Sequence, residues 1–336
     1  MQENNNVDFA GRRPLKKLSA MVLTLILCAS TAVSCAALSN NTGPVTMVED
    51  SGWSTQQNPV MTHYSAVWGT SSSDVFAVGE FGAIIHYTGR YWCRMDSCTM
   101  SNLTSIWGTS ANDVFAVGES GTILHYNGKE WNPMQSNTHG LLGRIWGSSS
   151  SDIYAIVDGM GLEHYDGKTW SAMPINVPGN PSVFVSNLWG TSSSDIFMVG
   201  GNGLILHYDG NAWSMMNSNT EIKLLGVWGD SSSDVFAVGN EGGIIHFDGN
   251  VWSSMNSGTA SMLMGIWGSS STDVFAVGVR SNISGNDGIV HYDGHTWSDM
   301  TDDMEIIYIM NGVWGSSGSD VFAVGRAGLI FHYPGY

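Results

Sequence analysis

The chain has 336 residues, with 29 acidic side chains against 12 basic ones, a formal net charge of −17 and a 43% hydrophobic share. A surface of that sign repels phosphate backbones and anionic lipid, so nucleic acid is excluded as a partner and a membrane could be reached only through an anchor. Length alone admits two domains, but most of the sequence is a repeat of the kind that makes one closed domain.

Residues 1 to 11 are polar; Arg12, Arg13, Lys16 and Lys17 then precede an apolar run from Leu18 to about Ala37. Positive residues, a short apolar stretch and small residues at its exit are the order of a bacterial secretory signal. Ser30, Thr31, Ser34 and two cysteines interrupt the run, which argues against a membrane-spanning helix. Lys16 stands where twin-arginine export expects an apolar residue. The stretch Thr31-Ala32-Val33-Ser34-Cys35 resembles a lipobox, in which the cysteine is cleaved and acylated; cleavage without lipid is the competing outcome. The expected organisation is a signal over 1–35, a linker over 36–48 and a repeat domain over 49–336. The protein is then exported to the bacterial cell envelope or secreted. Losing residues 1 to 34 leaves 8 basic and 27 acidic side chains, a net of −19.

Of the four cysteines, Cys28 would leave with the signal and Cys35 would carry lipid. Cys93 and Cys98 remain as a close pair, read as a small loop disulfide because no second such pair exists to complete a metal site.

The repeat is written in tryptophan. One series sits in a WG pair: Trp68, Trp107, Trp146, Trp189, Trp228, Trp267 and Trp314. The other follows a turn: Trp53, Trp92, Trp131, Trp170, Trp213, Trp252 and Trp297. Most steps within each series are 39 residues. In the second unit, LTSIWG, VFAVG, TILHY and a segment from Trp131 to Met134 are rich in β-branched and aromatic residues and separated by turn residues, which predicts four strands, a to d. The NG or DG pair before strand d predicts a tight hairpin with both turn residues at positive φ, and the glycine ending VFAVG is expected to permit the next turn. Four antiparallel strands per repeat make one blade of a β-propeller. Six units are complete. The seventh supplies only a, b and c, and the segment around Gly52, Trp53 and Ser54 is expected to supply its strand d. The fold class is therefore all-β, a seven-bladed propeller closed by its N-terminal strand, with no edge left open.

Seven histidines (His86, His125, His164, His207, His246, His291 and His332) and seven aspartates (Asp74, Asp113, Asp152, Asp195, Asp234, Asp273 and Asp320) recur in register. A catalytic centre needs one arrangement at one place, so these are read as a structural network with the WG tryptophan and the serine run. WD40 blades contain a network of the same residue types, although the terminal WD signature is absent here. The serines before each aspartate are read as turn residues.

The run IWGTSANDVFAVGESGTILHYNGKEW is similar to the repeats of the Ycf48-like and BNR/Asp-box β-propellers, over about residues 50 to 336. The resemblance implies the fold. YDGKTW at Tyr165 to Trp170 is shorter than an Asp box, and none of Arg90, Arg94, Arg144, Arg280 and Arg326 can be matched to the arginine triad of the sialidases in that group. No catalytic residue, metal ligand or cofactor site is carried over, and no DxDxDG or HExxH motif occurs.

Alternating strands place the a–b and c–d turns on one face, nearly identical in every unit, and the b–c and d–a connections on the other. The second face holds the irregular segments. The expected function is a monomeric, non-enzymatic scaffold that binds a protein or a glycan through this variable face, with Phe81, Phe184, Arg280, Tyr308 and Arg326 among the contacts. The alternative is a carbohydrate-active enzyme of the Asp-box, sialidase-like type. Unit three departs from the pattern at Val157 and at Glu163, which is expected to be a solvated edge residue.

Overall fold

The computed structural model describes residues 52–177, 184–280, 288–301 and 307–334. The expected signal, its Cys35 and the linker lie outside these residues.

Each repeat folds as a four-stranded antiparallel sheet in the order a-b-c-d. In blade 2 these are Leu103–Ser110, Asp113–Gly118, Ile123–Tyr126 and Trp131–Pro133. Blades 1 to 5 are separate sheets. In blade 6 strand b runs on to Arg280 and pairs with strand a of blade 7, Val279 with Ile309 and Arg280 with Tyr308, so the last two blades share one sheet. The first strands of neighbouring blades pack on one another around the ring, which makes strand a innermost and the tryptophan-bearing strand d outermost.

The hydrophobic core lies between blades rather than within them. Among the described residues seven clusters form, each joining neighbouring blades, as where Val75, Ala77 and Ile85 of blade 1 meet Phe322, Val324 and Ile330 of blade 7. Both faces of strand b are thereby buried, which is why VFAVG reads as a continuous apolar run instead of an alternating one.

Closure follows the expected route. Ser54–Thr55 pairs with strand c of blade 7, Ser54 opposite His332 and Thr55 opposite Phe331. The fully buried Trp53 packs on Tyr333 at 5.2 Å between ring centroids and edge-on against Phe275 at 6.5 Å.

The WG pair has a packing reason. A Cβ on Gly108 would lie 2.7 Å from the ring of Trp68 in the preceding blade, and Gly147, Gly190, Gly229, Gly268, Gly315 and Gly69 meet Trp107, Trp146, Trp189, Trp228, Trp267 and Trp314 in the same way. Each tryptophan of the series enters the space that the next blade's glycine leaves open.

Two turn expectations are corrected. In the DG hairpins only glycine takes positive φ, as Gly167 does at 86°. Asp166 acts through its side chain instead, its Oδ1 accepting the backbone N–H groups of Lys168 at 2.9 Å and Thr169 at 2.8 Å. The paired positive φ values occur in the b–c turn, at Phe81 (56°) and Gly82 (67°) and at the matching residues of blades 2, 4, 5 and 7. The glycine ending VFAVG is in extended conformation, and its function is close approach: a Cβ on Gly79 would lie 2.1 Å from the carbonyl oxygen of His63. Blade 3 shifts this turn back by one residue to Asp158 and Gly159, and Val157 there pairs in register with Gly161.

Candidate functional site

On the constant face, each blade carries the same internal fastener. The histidine of strand c and the aspartate opening strand b meet at 2.6 to 2.7 Å in all seven blades. The second oxygen of the aspartate accepts a hydrogen bond from the hydroxyl that follows the WG pair, as with Thr70 to Asp74 and Thr191 to Asp195. Blade 5 has Asp230 at that position in place of a hydroxyl. The imidazole stacks on the aromatic ring of strand b, with centroid distances from 4.0 Å (Phe322 with His332) to 4.6 Å (Tyr154 with His164). The WG tryptophan joins by packing, 6.3 Å from the same ring in blade 5. The serine run closes the a–b turn, Ser71 Oγ accepting the Ser73 N–H at 3.3 Å. Every partner in this arrangement is internal and repeated, so it secures strands b and c to strand a and offers no single reactive centre.

The variable face is built differently. Phe81 sits at the tip of the b–c turn of blade 1, 63% exposed, its backbone N–H held by Asn102 Oδ1 at 2.8 Å. Arg326 opens the corresponding turn of blade 7 and is exposed. Phe184, 50% exposed, precedes strand a of blade 4, and Lys223 Nζ lies 5.3 Å over its ring. Phe184 also borders a groove of about 690 Å³ with Asn202, Met215, Met216 and Thr220. Arg280 donates to Thr301 Oγ1 at 2.8 Å. Tyr308 is corrected: it is 2% exposed and packs edge-on against Phe331 at 5.2 Å, so it belongs to the core between blades 6 and 7 and not to a contact surface. Of the irregular segments expected on this face, Pro174 to Asn187, Val279 to Asp287 and Thr301 to Asn311, residues 178–183, 281–287 and 302–306 lie outside the described residues.

Sequence reading missed the larger feature of this face. Among the described residues, eleven large hydrophobic side chains are exposed, and eight of them sit in the b–c and d–a connections: Met61, Phe81, Met100, Leu141, Met160, Phe184, Met262 and Ile307. For six of them the signal was an apolar residue one to three places before strand a; Phe81 and Met160 sit in b–c turns.

Four further residues stand out. Cys93 and Cys98 are joined as a disulfide that spans the start of the d–a connection after blade 1. Glu163, expected at a solvated edge, is 3% exposed in the core between blades 2 and 3, and Oε2 has no hydrogen-bond partner. It lies between Ala155 and Ala172 in register, and burial pushes its carboxyl above the usual range. Arg144, in strand a of blade 3, donates from Nη1 to the carbonyl oxygen of Thr104 in blade 2 at 3.0 Å.

Among the described residues, no group of three or more His, Cys, Asp or Glu side chains converges as a metal site, and no helix is long and apolar enough to cross a membrane. No family model and no curated protein matches the sequence. Solved structures do match in fold. Ycf48 bound to D1 peptide superposes with a TM-score of 0.68 at 16% identity, over 85% of this chain and 97% of that one. Ycf48 from Cyanidioschyzon merolae gives 0.66 at 11% identity, over 84% and 98%. The WD40 β-propeller domain of Doa1 gives 0.62 at 10% identity, over 83% and 94%. In fold, this chain is a Ycf48-like seven-bladed β-propeller closed by its N-terminal strand.

Proposed function

We propose that the protein is a non-enzymatic scaffold that binds a protein partner through its variable face. The observation that carries this reading is the gathering of eight of the eleven exposed large hydrophobic residues in the connections of one face. Four of the eight are methionines, whose flexible, polarizable side chains adapt to a partner's surface. The constant face spends its polar chemistry on its own strands, and the tryptophans pack in the scaffold, so neither offers a stacking platform for a sugar or a convergent catalytic group. This favours a protein over a glycan and a scaffold over a sialidase-like enzyme. Ycf48, a propeller of the same fold, has been solved with a bound peptide. In this reading the N-terminal segment is an export signal, and the mature chain is either anchored in the cell envelope through Cys35 or released by ordinary cleavage to the periplasm or the medium; the mass of the mature N-terminus separates the two.

Capture from a membrane fraction tests the reading. Met100→Glu together with Phe184→Glu should abolish capture of the partner, whereas Val251→Glu, exposed on the opposite side, should leave it intact. Equal capture by all three proteins would overturn the assignment of the face.

A further inference from the structure

We propose that the docking role of the variable face, on which this inference rests, is for a cationic protein segment with apolar side chains, received along the arc formed by blades 1 to 3. The arc is one surface. At its start a Cβ on Gly328 of blade 7 would lie 3.1 Å from Met61 Sδ, and two residues beyond Met61 the ring of His63 meets Glu80 Oε1 at 3.0 Å. Phe81 follows Glu80, and its N–H is held by Asn102, whose Nδ2 donates to Glu119 Oε1 at 3.1 Å. From the same turn Gly121 N–H donates to the Gly140 carbonyl oxygen at 2.8 Å, and Leu141 N–H donates to Asp158 Oδ1 at 2.8 Å. A Cβ on Gly159 would lie 2.6 Å from the ring of Phe184, where the groove of blade 4 begins.

Two properties coincide along this arc. Five of the eight exposed hydrophobic residues of the face belong to it: Met61, Phe81, Met100, Leu141 and Met160. Among them stand Glu80, Glu119 and Asp158, one in the b–c turn of each blade. One oxygen of each engages a neighbouring group of the arc, which fixes where the charge is presented. Lysine and arginine are absent from the connections that build the arc, residues 56–63, 80–83, 96–102, 119–122, 134–141 and 158–160. Every ion pair among the described residues involves a histidine, so no lysine or arginine from elsewhere in them pairs with these carboxylates. Cations stand only at the two ends, Arg326 in blade 7 and Lys223 over the ring of Phe184.

Methionine-rich apolar contact accepts many surfaces, and the sign of the charge between the contacts restricts which of them dock. A second copy of this chain is a poor occupant, since it brings the same arc at a net charge of −17. A segment that alternates basic and apolar side chains satisfies both properties at once.

The probe is a short dye-labelled peptide alternating lysine and leucine, titrated with the intact protein and followed by fluorescence anisotropy. Saturable binding is expected, weakened roughly tenfold when Glu80→Gln, Glu119→Gln and Asp158→Asn are combined, because the amides keep the internal acceptors and lose the charge. Phe81→Ser with Met100→Ser should weaken it by a similar factor, and a peptide with glutamate in place of lysine should not bind. Glu130→Gln with Asp230→Asn removes two exposed carboxylates from the constant face and should leave affinity unchanged. No loss in the triple variant, or an equal loss in the constant-face variant, would overturn the proposal. Should the triple variant fail to fold, Glu119→Gln alone carries the test with an expected loss of roughly two- to threefold, and unchanged affinity there overturns it. A dimer of the isolated protein that the peptide dissociates, seen by sedimentation, would assign the arc to a second copy and overturn it as well. Partner capture separates this from the docking role itself. If Met100→Glu with Phe184→Glu abolishes capture while the triple amide variant captures fully, the face stands and its cationic partner is rejected; capture that survives both rejects the face.

Discussion

Glu163 occupies a position where the other six blades carry Ile85, Leu124, Leu206, Ile245, Val290 and Phe331, all of them buried. A carboxylate there is costly because its charge has left water and one oxygen finds no donor. Its carboxyl is raised above the ordinary range in the folded chain, so the native state holds the proton more tightly than the unfolded one. The penalty is therefore absent below the ordinary carboxylate range and grows as pH rises through it toward the raised value. Glu163→Leu should stabilise the protein by about 1–3 kcal/mol at neutral pH and flatten the stability profile above the carboxylate range, measured by urea unfolding at a series of pH values. A sequence cannot show this cost directly. Charge in a short strand next to a turn reads as a rim residue, and only the packing of blade 2 on this face of blade 3, whose core includes the neighbouring Ala155, buries it.

At the scale of elements, the interlock between neighbouring blades depends on an absent side chain. Gly229→Ala would place a methyl 2.6 Å from the ring of Trp189 and 2.8 Å from the carbonyl oxygen of Asp234, and neither neighbour is a flexible chain end. The expected result is a loss of about 1–3 kcal/mol in denaturant unfolding, with the fold retained. The strands themselves were legible in the sequence, since apolar runs such as VFAVG and the turn tryptophans marked them to within a residue or two. Turn chemistry was less so. A DG pair signals a reversal whether aspartate contributes its backbone or its side chain, and the difference depends on the two N–H groups beyond it, here those of Lys168 and Thr169. The exposed apolar residues of the variable face were also hidden, because Met61 or Met262 one to three places before a strand resembles the strand's own first residue until the register is known. Tyr308 failed in the reverse direction: the lengthened strand b of blade 6 reaches it and closes the core over it.

For the molecule as a whole, ring closure rests on a two-residue strand and one indole. Trp53→Ala would leave a cavity lined by Phe275, Phe331 and Tyr333 and should cost about 3–5 kcal/mol, seen as a lower urea midpoint and a loss of cooperativity between the first and last blades. The hydroxyl of Ser54 donates to the carbonyl oxygen of His332 across 278 positions of sequence, about the longest separation the ring can contain. In time as well as space this contact is extreme. During synthesis the strand at Ser54 leaves the ribosome ahead of all seven blades, and its place exists only once Phe331 and His332 have followed. Blades can stack in order as they emerge, but the final lock must wait, and a contact of such long range forms late. Completion of the ring is thus a length check: a chain that stops one strand short has nowhere to seat Trp53, and that indole stays in water.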